Sequence, residues 1–372
     1  TLYHLIFVVK IKNNMKVCIL GTGLTTLTLA KALVNQKIFV EIFSNKKKEI
    51  IDQSRTIGIT KSNVDYFNKN IINIEKIIWQ IKKIEIFSQK QNKEKLLNFE
   101  NNNEQIFSIV KNYKLKKILE QSLIKSKFFK RYYLEKFTYE IHNYDLIINL
   151  DFSNSISKKF FSKKIIKKYK STAHTAVLRH ERIDNRTASQ IFTKIGPLAF
   201  LPISNTETSI VYSIKNSENL KKEKFLELIK KHNLTYKIEN IDKISSFELS
   251  SMSLRSYYHK NILAFGELIH KIHPLAGQGF NMTLRDIKVL LEIIKNKQDL
   301  GLQLNSSVNQ EFQKNMQHTN FIFSSGVDLI YEIFNIEGKL KSNFFINTLK
   351  YLGNKESINK IFRKIADNGL VY

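Results

Sequence analysis

Residues with special backbone properties cluster in one late stretch of the chain, 266–281. The whole chain has only 12 glycines and 3 prolines, and this stretch holds Gly266, Pro274, Gly277 and Gly279. The apolar run before it, 261–265, predicts a buried strand, and apolar periodicity over 282–294 predicts a helix. A glycine-rich turn at a helix start leaves backbone N–H groups free at the positive helix end. The stretch is therefore a candidate site for an anionic group, with an ordinary strand–helix turn as the alternative.

A similar strand–glycine–helix pattern lies near the start of the chain. Residues 16–20 predict a buried strand, Gly21 and Gly23 follow, and 27–33 predict a helix. This pattern is typical of dinucleotide binding, with Gly21 in the tight turn and Gly23 letting a pyrophosphate approach the backbone. Thr26 replaces the third glycine of the pattern, and we expect it to push the helix slightly away from the strand.

Two further predicted strands end in polar residues. The strand at 38–43 ends at Ser44, where an acidic residue usually binds a ribose hydroxyl and where serine still offers a hydrogen bond. A buried strand within 144–151 runs into a turn that contains Asp151 and Asn154. The chain thus has three places where a strand ends in residues suited to binding a cofactor.

Composition narrows the class of protein. A length of 372 residues suits two domains, and no apolar run approaches the ~20 residues of a membrane helix. The net charge of +27 comes from scattered lysines that are not interleaved with aromatic residues, so we predict a solvated surface, weak attraction to anionic lipid and no nucleic-acid partner. The single cysteine, Cys18, lies in an apolar strand, which indicates no disulfide framework, no metal site and a cytoplasmic setting.

Together the three motifs resemble those of the class A flavin-dependent aromatic monooxygenases, which have the para-hydroxybenzoate-hydroxylase fold. That family carries Gly-x-Gly-x-x-Gly early, Ala-Asp-Gly-x-x-Ser in the middle and Gly-Asp-x-x-His-x-x-x-Pro-x-x-Gly-Gln-Gly-x-Asn late. The chain is most similar to the ring hydroxylases of ubiquinone biosynthesis within that family. The residues that carry this finer resemblance are 54–60, His180, Glu181, Ala188, Phe192, 196–202 and 358–370.

The resemblance implies FAD as cofactor and NAD(P)H and O2 as co-substrates. A polyprenylated phenol would be hydroxylated on its ring through a flavin C4a-hydroperoxide, without a metal or a catalytic triad. The implied cofactor-binding residues are Gly21, Gly23, Ser44, Arg55, Asn112, Asp151, Gly266, Glu267, Pro274, Ala276, Gly277, Gln278, Gly279 and Asn281. Pro274, Gly277, Gln278 and Gly279 would lie beside the isoalloxazine, and we call residues 274–279 the ring-side loop.

The resemblance also implies an α/β fold with a discontinuous Rossmann-like FAD-binding domain, an inserted antiparallel-sheet substrate domain and a helical C-terminal tail. We expect the FAD-binding domain at 15–65, 100–165 and 245–300, the substrate domain at 66–99 and 166–244, and the helical region at 301–372. Residues 1–14 would be an extension that precedes a natural start at Met15. The aromatic substrate would lie between the sheet and the flavin. Its prenyl tail would need an apolar opening, which suits peripheral work at the inner face of the cytoplasmic membrane or in a biosynthetic complex.

Several alternatives stay open at this point. The chain could be another flavoenzyme, such as a prenyl reductase or a hydroxylase of other phenols, or a non-catalytic binding subunit. The non-catalytic alternative is favoured by departures from the family pattern at Thr26, Ser44, Phe152 and Glu267. His180 and Glu181 fit either a substrate contact or a sheet turn, and His270 and His273 fit structural hydrogen bonds better than proton transfer. The hydroxylated ring carbon, the tail length, the choice between NADH and NADPH and the oligomeric state stay open.

Overall fold

The structure is a computed structural model that describes residues 15–44, 53–89, 95–100, 104–133, 144–215, 220–274 and 277–337. The expected extension at 1–14, the C-terminal stretch 358–370 and Ala276 of the ring-side loop lie outside the described residues.

The described helices are α1 (Leu24–Asn35), α2 (Lys61–Asn70), α3 (Asn112–Ile124), α4 (Ser155–Phe160), α5 (Lys222–His232), α6 (Gln278–Asp299) and α7 (Ser306–Glu337). The helices predicted from apolar periodicity at 27–33 and 282–294 lie inside two of them, α1 and α6. None of these helices combines the length and the apolar character that a membrane-crossing segment needs.

The described strands fall into three sheets. In chain order they are β1 (Lys16–Leu20), β2 (Phe39–Ser44), β3 (Thr56–Thr60), β4 (Ile78–Ile81), β5 (Lys83–Ser88), β6 (Lys95–Glu100), β7 (Phe107–Lys111), β8 (Phe129–Tyr133), β9 (Leu146–Asn149), β10 (Lys164–His180), β11 (Thr187–Thr193), β12 (Gly196–Pro202), β13 (Glu207–Lys215), β14 (Ile238–Ile241), β15 (Ser245–Leu254), β16 (Tyr258–His259), β17 (Ile262–Ala264) and β18 (His270–Lys271).

The first sheet is the Rossmann-like part of the predicted fold. Its strand order is β16-β17-β9-β1-β2-β8, and all of its neighbours are parallel except β16 and β17. Its central strands β1 and β9 are mostly apolar because both faces of a parallel sheet are covered by helices. Buried residues of α1, α3 and α6 pack with these strands in the largest core cluster.

The second sheet is the predicted antiparallel one. Its order is β18-β15-β10-β13-β12-β11-β5-β6, with β14 paired to β10, and only β5 and β11 run parallel. One face packs against α5 through Leu178, Ile210, Tyr212, Phe225 and Ile229. Its long central strands β10, β12 and β13 lie almost entirely within the expected substrate domain, 166–244. The predicted fold class is confirmed, whereas the residue boundaries of the domains stay a prediction.

A small sheet in the order β3-β7-β4 connects the other two. Thr56 of β3 donates to Ser209 of β13 over 2.8 Å, and α6 packs on β3. The helix α7 crosses beside α6 and contributes Phe323, Val327 and Tyr331 to a cluster with Tyr169 of β10 and Met282 of α6. These contacts bring the second sheet, α6 and α7 together around the start of α6.

Candidate cofactor and active site

The three predicted turns lie side by side at the carboxyl edge of the parallel sheet. Strand β9 runs between β1 and β17, and Leu150 follows it directly. A Cβ atom at Gly21 would lie 3.2 Å from Leu150 Cβ, and one at Gly266 would lie 3.3 Å from Leu150 Cδ2. Tertiary structure therefore brings Gly21, the start of the Asp151 turn and Gly266 to one place, the edge at which open α/β sheets bind ligands.

Close packing explains why Gly21 is a glycine. Its φ is +149°, and a Cβ atom there would lie 2.7 Å from Thr26 Oγ1. Thr26 is buried and fits beside the strand because Gly21 has no side chain. Around Gly23, in contrast, no described atom lies within 4 Å of an added Cβ. No described side chain caps α1 at Gly23, and the open space beside Gly23 suits an anionic group at this helix start.

Ser44 ends β2 as a buried hydroxyl. It is 8% exposed, and its Oγ has no hydrogen-bond partner among the described residues. The nearby Glu41 cannot take over its predicted role, since Glu41 accepts from Tyr144 Oη at 2.5 Å and pairs with Lys16 Nζ at 3.1 Å. A buried hydroxyl without a partner is costly, so Ser44 fits a contact with a ligand hydroxyl.

The Asp151 turn is held by its own side chains. Asp151 Oδ1 accepts from the backbone N–H and the hydroxyl of Ser153 at 2.8 and 2.7 Å. Asn154 caps α4 by accepting from the backbone N–H of Ser157 at 2.8 Å. These bonds fix the turn at the end of β9, and contact of Asp151 with a cofactor stays a prediction.

Gly266 allows the late turn to approach the first helix. Its φ is +62°, and a Cβ atom would lie 3.0 Å from Thr25 Cγ2. A short 3-10 turn, Gly266–Leu268, then presents Glu267 as an exposed carboxylate. Glu267 thus stands at the same sheet edge as Gly21, where it is accessible to a ligand.

The described part of the ring-side loop combines a tight backbone with open space. Gly277 caps α6 with φ +64°, and its N–H donates to Pro274 O over 3.4 Å. Gln278 is 8% exposed, and its Oε1 has no partner within the described ranges. An added Cβ atom at Gly279 would meet no described atom within 4 Å. The loop therefore offers room and an unpaired amide oxygen to a flat ligand.

Asn281 holds this loop in place from the first turn of α6. Its Nδ2 donates to Gly277 O at 3.2 Å and to Gly58 O at 3.0 Å. Its Oδ1 accepts from the Thr60 N–H and from Asn63 Nδ2, both at 3.0 Å. The side-chain amide is fully used by these four bonds, so only the Asn281 backbone is left for the predicted cofactor contact.

Arg55 and Asn112 meet where β3 and β7 face the antiparallel sheet. The Asn112 N–H donates to Arg55 O over 3.0 Å, and the exposed Arg55 guanidinium lies 5.7 Å from the ring centroid of Phe247 in β15. The structure thus brings these two predicted residues together between the two sheets. Their contact with a cofactor stays a prediction.

His180 belongs to a structural network in the second sheet. Its Nδ1 bonds Glu181 O at 2.8 Å, its Nε2 bonds Thr208 Oγ1 at 3.0 Å, and Asn185 Nδ2 lies 3.4 Å from Nε2. His180 is 1% exposed, and its hydrogen bonds stabilise the turn between β10 and β11, which contains Asn185. The structure therefore favours the sheet-turn alternative over a substrate contact.

No family model matches the chain, but curated relatives share part of its sequence. The 3-demethoxyubiquinol 3-hydroxylase of Escherichia coli (strain K12) is 31% identical over 150 residues, 38% of this chain and 38% of that protein. The mitochondrial ubiquinone biosynthesis monooxygenase COQ6 of Danio rerio is 25% identical over 235 residues, 51% of this chain and 48% of that protein. The chain thus spans half or less of the length of these relatives.

A solved structure extends the likeness to the whole chain. The crystal structure of p-nitrophenol 4-monooxygenase PnpA from Pseudomonas putida DLL-E4 has a TM-score of 0.77 at 10% identity, and it covers 96% of this chain and 100% of that chain. The chain has the class A FAD-dependent aromatic monooxygenase fold. The resemblance read from the three motifs is therefore confirmed.

Within this monooxygenase fold, a buried aromatic cluster lies beside the ring-side loop, and the sequence patterns did not predict it. His273 is 1% exposed, stacks on Tyr331 with ring centroids 4.4 Å apart and meets the edge of Tyr169 at 4.9 Å. Burial lowers the pKa of His273 to about 4. Neither ring nitrogen has a hydrogen-bond partner in the described part of the chain, so the expected structural hydrogen bond of His273 is wrong there. The neighbouring His270 does make such a bond, to Asp286.

Proposed function

We propose that this chain is an FAD-dependent monooxygenase that hydroxylates the aromatic ring of a polyprenylated phenol in ubiquinone biosynthesis, with NAD(P)H and O2. The observation that carries the proposal is the meeting of Gly21, Leu150 and Gly266 at one sheet edge. Three strand ends with this packing, in a monooxygenase fold and in a chain whose partial relatives are ubiquinone-pathway hydroxylases, support one cofactor and one substrate class.

The unpaired polar atoms of the site fit FAD. The free N–H groups at the start of α1 suit the pyrophosphate, and the Ser44 hydroxyl suits a ribose hydroxyl. Glu267 keeps the carboxylate for the ribityl chain, with one methylene more than aspartate. Gln278 and the open space at Gly279 suit the flat ring system. These residues stay proposed contacts.

The departures from the family pattern are compatible with cofactor binding. Thr26 occupies space that Gly21 leaves open, Ser44 retains an unpaired hydroxyl, and Glu267 is accessible. Phe152 is 42% exposed with Lys164 Nζ 5.3 Å from its ring centroid, so the turn after β9 offers an aromatic face and a cation to NAD(P)H. These observations favour the enzyme over a non-catalytic subunit.

The protein supplies positioning and exclusion of water. When bound, FAD supplies the oxidation of NAD(P)H and the activation of O2. Asn281 fixes the ring-side loop, and the positive end of α6 stabilises negative charge beside it. Apolar residues, including Ala173, Leu249 and Met282, pack between the antiparallel sheet and α6. A phenol ring held on this side would be shielded from water.

The proposal includes work at a membrane surface, where a polyprenylated substrate resides. Ile165 and Ile166 are 50% and 59% exposed in a stretch of β10 that also carries Lys164 and Lys168. Exposed aliphatic side chains between lysines suit an anionic lipid surface. Co-sedimentation with anionic vesicles, compared with neutral ones, tests this part, and equal or absent binding to both would contradict it.

The catalytic proposal is tested with the purified full chain. We expect a yellow protein that binds FAD, oxidises NADPH faster with a prenylated phenol than without it, and yields a product one oxygen atom heavier by mass spectrometry. Complementation of strains that each lack one ring hydroxylase would then identify the ring carbon. A colourless chain that takes up no FAD on titration would contradict the proposal. A flavoprotein that prenylated phenols do not stimulate would contradict only the substrate class.

A further inference from the structure

A buried polar pair joins the two elements that enclose the ring-side loop. His270 of β18 precedes the loop, and Asp286 lies in the third turn of the helix that follows it. Nε2 of His270 hydrogen-bonds Oδ2 of Asp286, and the two residues are 3% and 0% exposed. A carboxylate oxygen can only accept, so the His270 ring donates from Nε2. The pair fixes the start of the loop relative to α6.

The second oxygen of Asp286 binds a third element. Asn320 of α7 donates from Nδ2 to Asp286 Oδ1 over 2.9 Å, and Asn320 is itself 3% exposed. Burial and then the negative charge of Asp286 raise the pKa of Tyr257. The carboxylate therefore has directional bonds to β18 and α7 while its own backbone belongs to α6.

The end of the ring-side loop is fixed separately. Asn281, five residues before Asp286 in α6, bonds Gly277 O and Gly58 O. The loop is thus held at its end by Asn281 and at its start by Asp286 through His270. None of the three side chains lies in the loop itself, so their effect on a ligand is through the position of the loop backbone.

We propose that Asp286 is a positioning residue for the flavin site, acting through His270 and held by Asn320 of α7. This inference rests on the proposed function, because the ligand that the loop serves is FAD. Apolar packing alone allows small sliding of a strand against a helix, whereas two hydrogen bonds on one carboxylate fix direction as well as distance. Helix α7 would thereby help to position the cofactor site from outside it.

The experiment compares FAD binding and folding in the full-length chain. Asp286→Asn keeps size but removes the charge that His270 binds, and His270→Leu/Asp286→Leu replaces both polar partners with apolar ones. We expect the double variant to regain most of the apoprotein melting temperature, because the buried charge and its imidazole partner are both gone and only the Asn320 amide, of the three side chains, loses a bond. Its Kd for FAD should still be roughly tenfold or more above wild type, with an altered visible flavin spectrum. A purely structural pair would predict that affinity and spectrum return together with stability.

Two further variants secure the result. Asn320→Leu removes the α7 bond to Asp286, together with the Asn320 bond to Tyr257, and serves if Asp286→Asn does not fold; a weaker FAD affinity is expected. Asp299→Asn, an exposed acid at the end of the same helix, is the control and should bind FAD as wild type does. Wild-type affinity and spectrum in the double variant or in Asn320→Leu would overturn the proposal while leaving the enzymatic function standing. Absence of FAD uptake by the wild-type chain would instead contradict the proposed function.

Discussion

The side-chain amide of Asn281 donates to the backbone carbonyl oxygen of Gly58 over 3.0 Å, across 223 residues of sequence. The Oδ1 atom of the same side chain accepts from the Thr60 N–H. Both the nitrogen and the oxygen of the Asn281 amide therefore bind β3 to the first turn of α6. The position of Gly58 is itself tightly packed, since a Cβ atom there would lie 2.2 Å from the Phe107 ring. The start of α6 is therefore fixed by the small sheet that contains β3.

Asn281→Ala should weaken both folding and FAD binding. It leaves Gly58 O, the Thr60 N–H and Asn63 without their buried partner, which we expect to lower the free energy of unfolding by about 3 kcal/mol. Urea unfolding and FAD titration measure the two effects. Asn296→Ala, an exposed asparagine of the same helix, should change stability by less than about 0.5 kcal/mol. Equal stability of the two variants would contradict the role given to Asn281.

Gly266→Ala should lower the free energy of unfolding more than the same substitution at Gly301, another glycine with positive φ. Gly266 has φ +62°, and a Cβ atom added there would lie 3.0 Å from Thr25 Cγ2. Gly301 has a similar φ, +69°, but no described atom lies within 4 Å of an added Cβ. Gly301→Ala should cost about 1 kcal/mol from backbone strain alone, and Gly266→Ala about 2–3 kcal/mol with reduced FAD affinity. Chemical denaturation of both variants compares them directly. A similar loss at the two positions would show that the approach to Thr25 is not tight.

Glu267→Ala should affect FAD binding without affecting folding. The side chain is exposed, so its removal should change stability by less than about 0.5 kcal/mol. Loss of a carboxylate bonded to a ribityl hydroxyl should raise the Kd for FAD roughly tenfold, about 1.4 kcal/mol. Glu267→Asp should keep most of the affinity, and Glu292→Ala, exposed in α6, should keep all of it. FAD fluorescence titration that finds unchanged affinity in Glu267→Ala would remove this residue from the site.

Acid should destabilise the chain through His273. Burial lowers its pKa in the folded state to about 4 from 6.5, so the unfolded chain binds the proton more tightly. The stability that the neutral ring contributes is complete above pH 6.5 and is lost as the pH falls towards 4, by about 3 kcal/mol at most. Unfolding free energies of wild type and His273→Leu between pH 7 and 4 measure it. We expect a steeper loss in wild type, and parallel curves would contradict the prediction.

Local patterns in the sequence were enough to predict the strands, turns and helices that meet at the carboxyl edge of the parallel sheet. Gly21 and Gly266 stand out because glycine is scarce in this chain and each follows an apolar run that ends at a turn. The period of the apolar residues predicted the helix at 282–294, which lies inside α6. A single sequence is enough to recognise such patterns, because strand burial, turn geometry and helix periodicity involve only a few neighbouring residues.

Tertiary structure alone decided which side chains are already used and which are left for a ligand. Asn281 looked like a cofactor contact, but its amide is committed to four protein groups, whereas Ser44 and Gln278 keep unpaired oxygens in the described part of the chain. His270 and His273 look alike in sequence, yet one bonds Asp286 and the other is enclosed by Tyr169 and Tyr331. The physical reason is distance along the chain. Apart from Gly277, which is 4 residues from Asn281, the partners of these side chains lie 16 to 223 residues away, and only the packed sheets and helices bring them into contact.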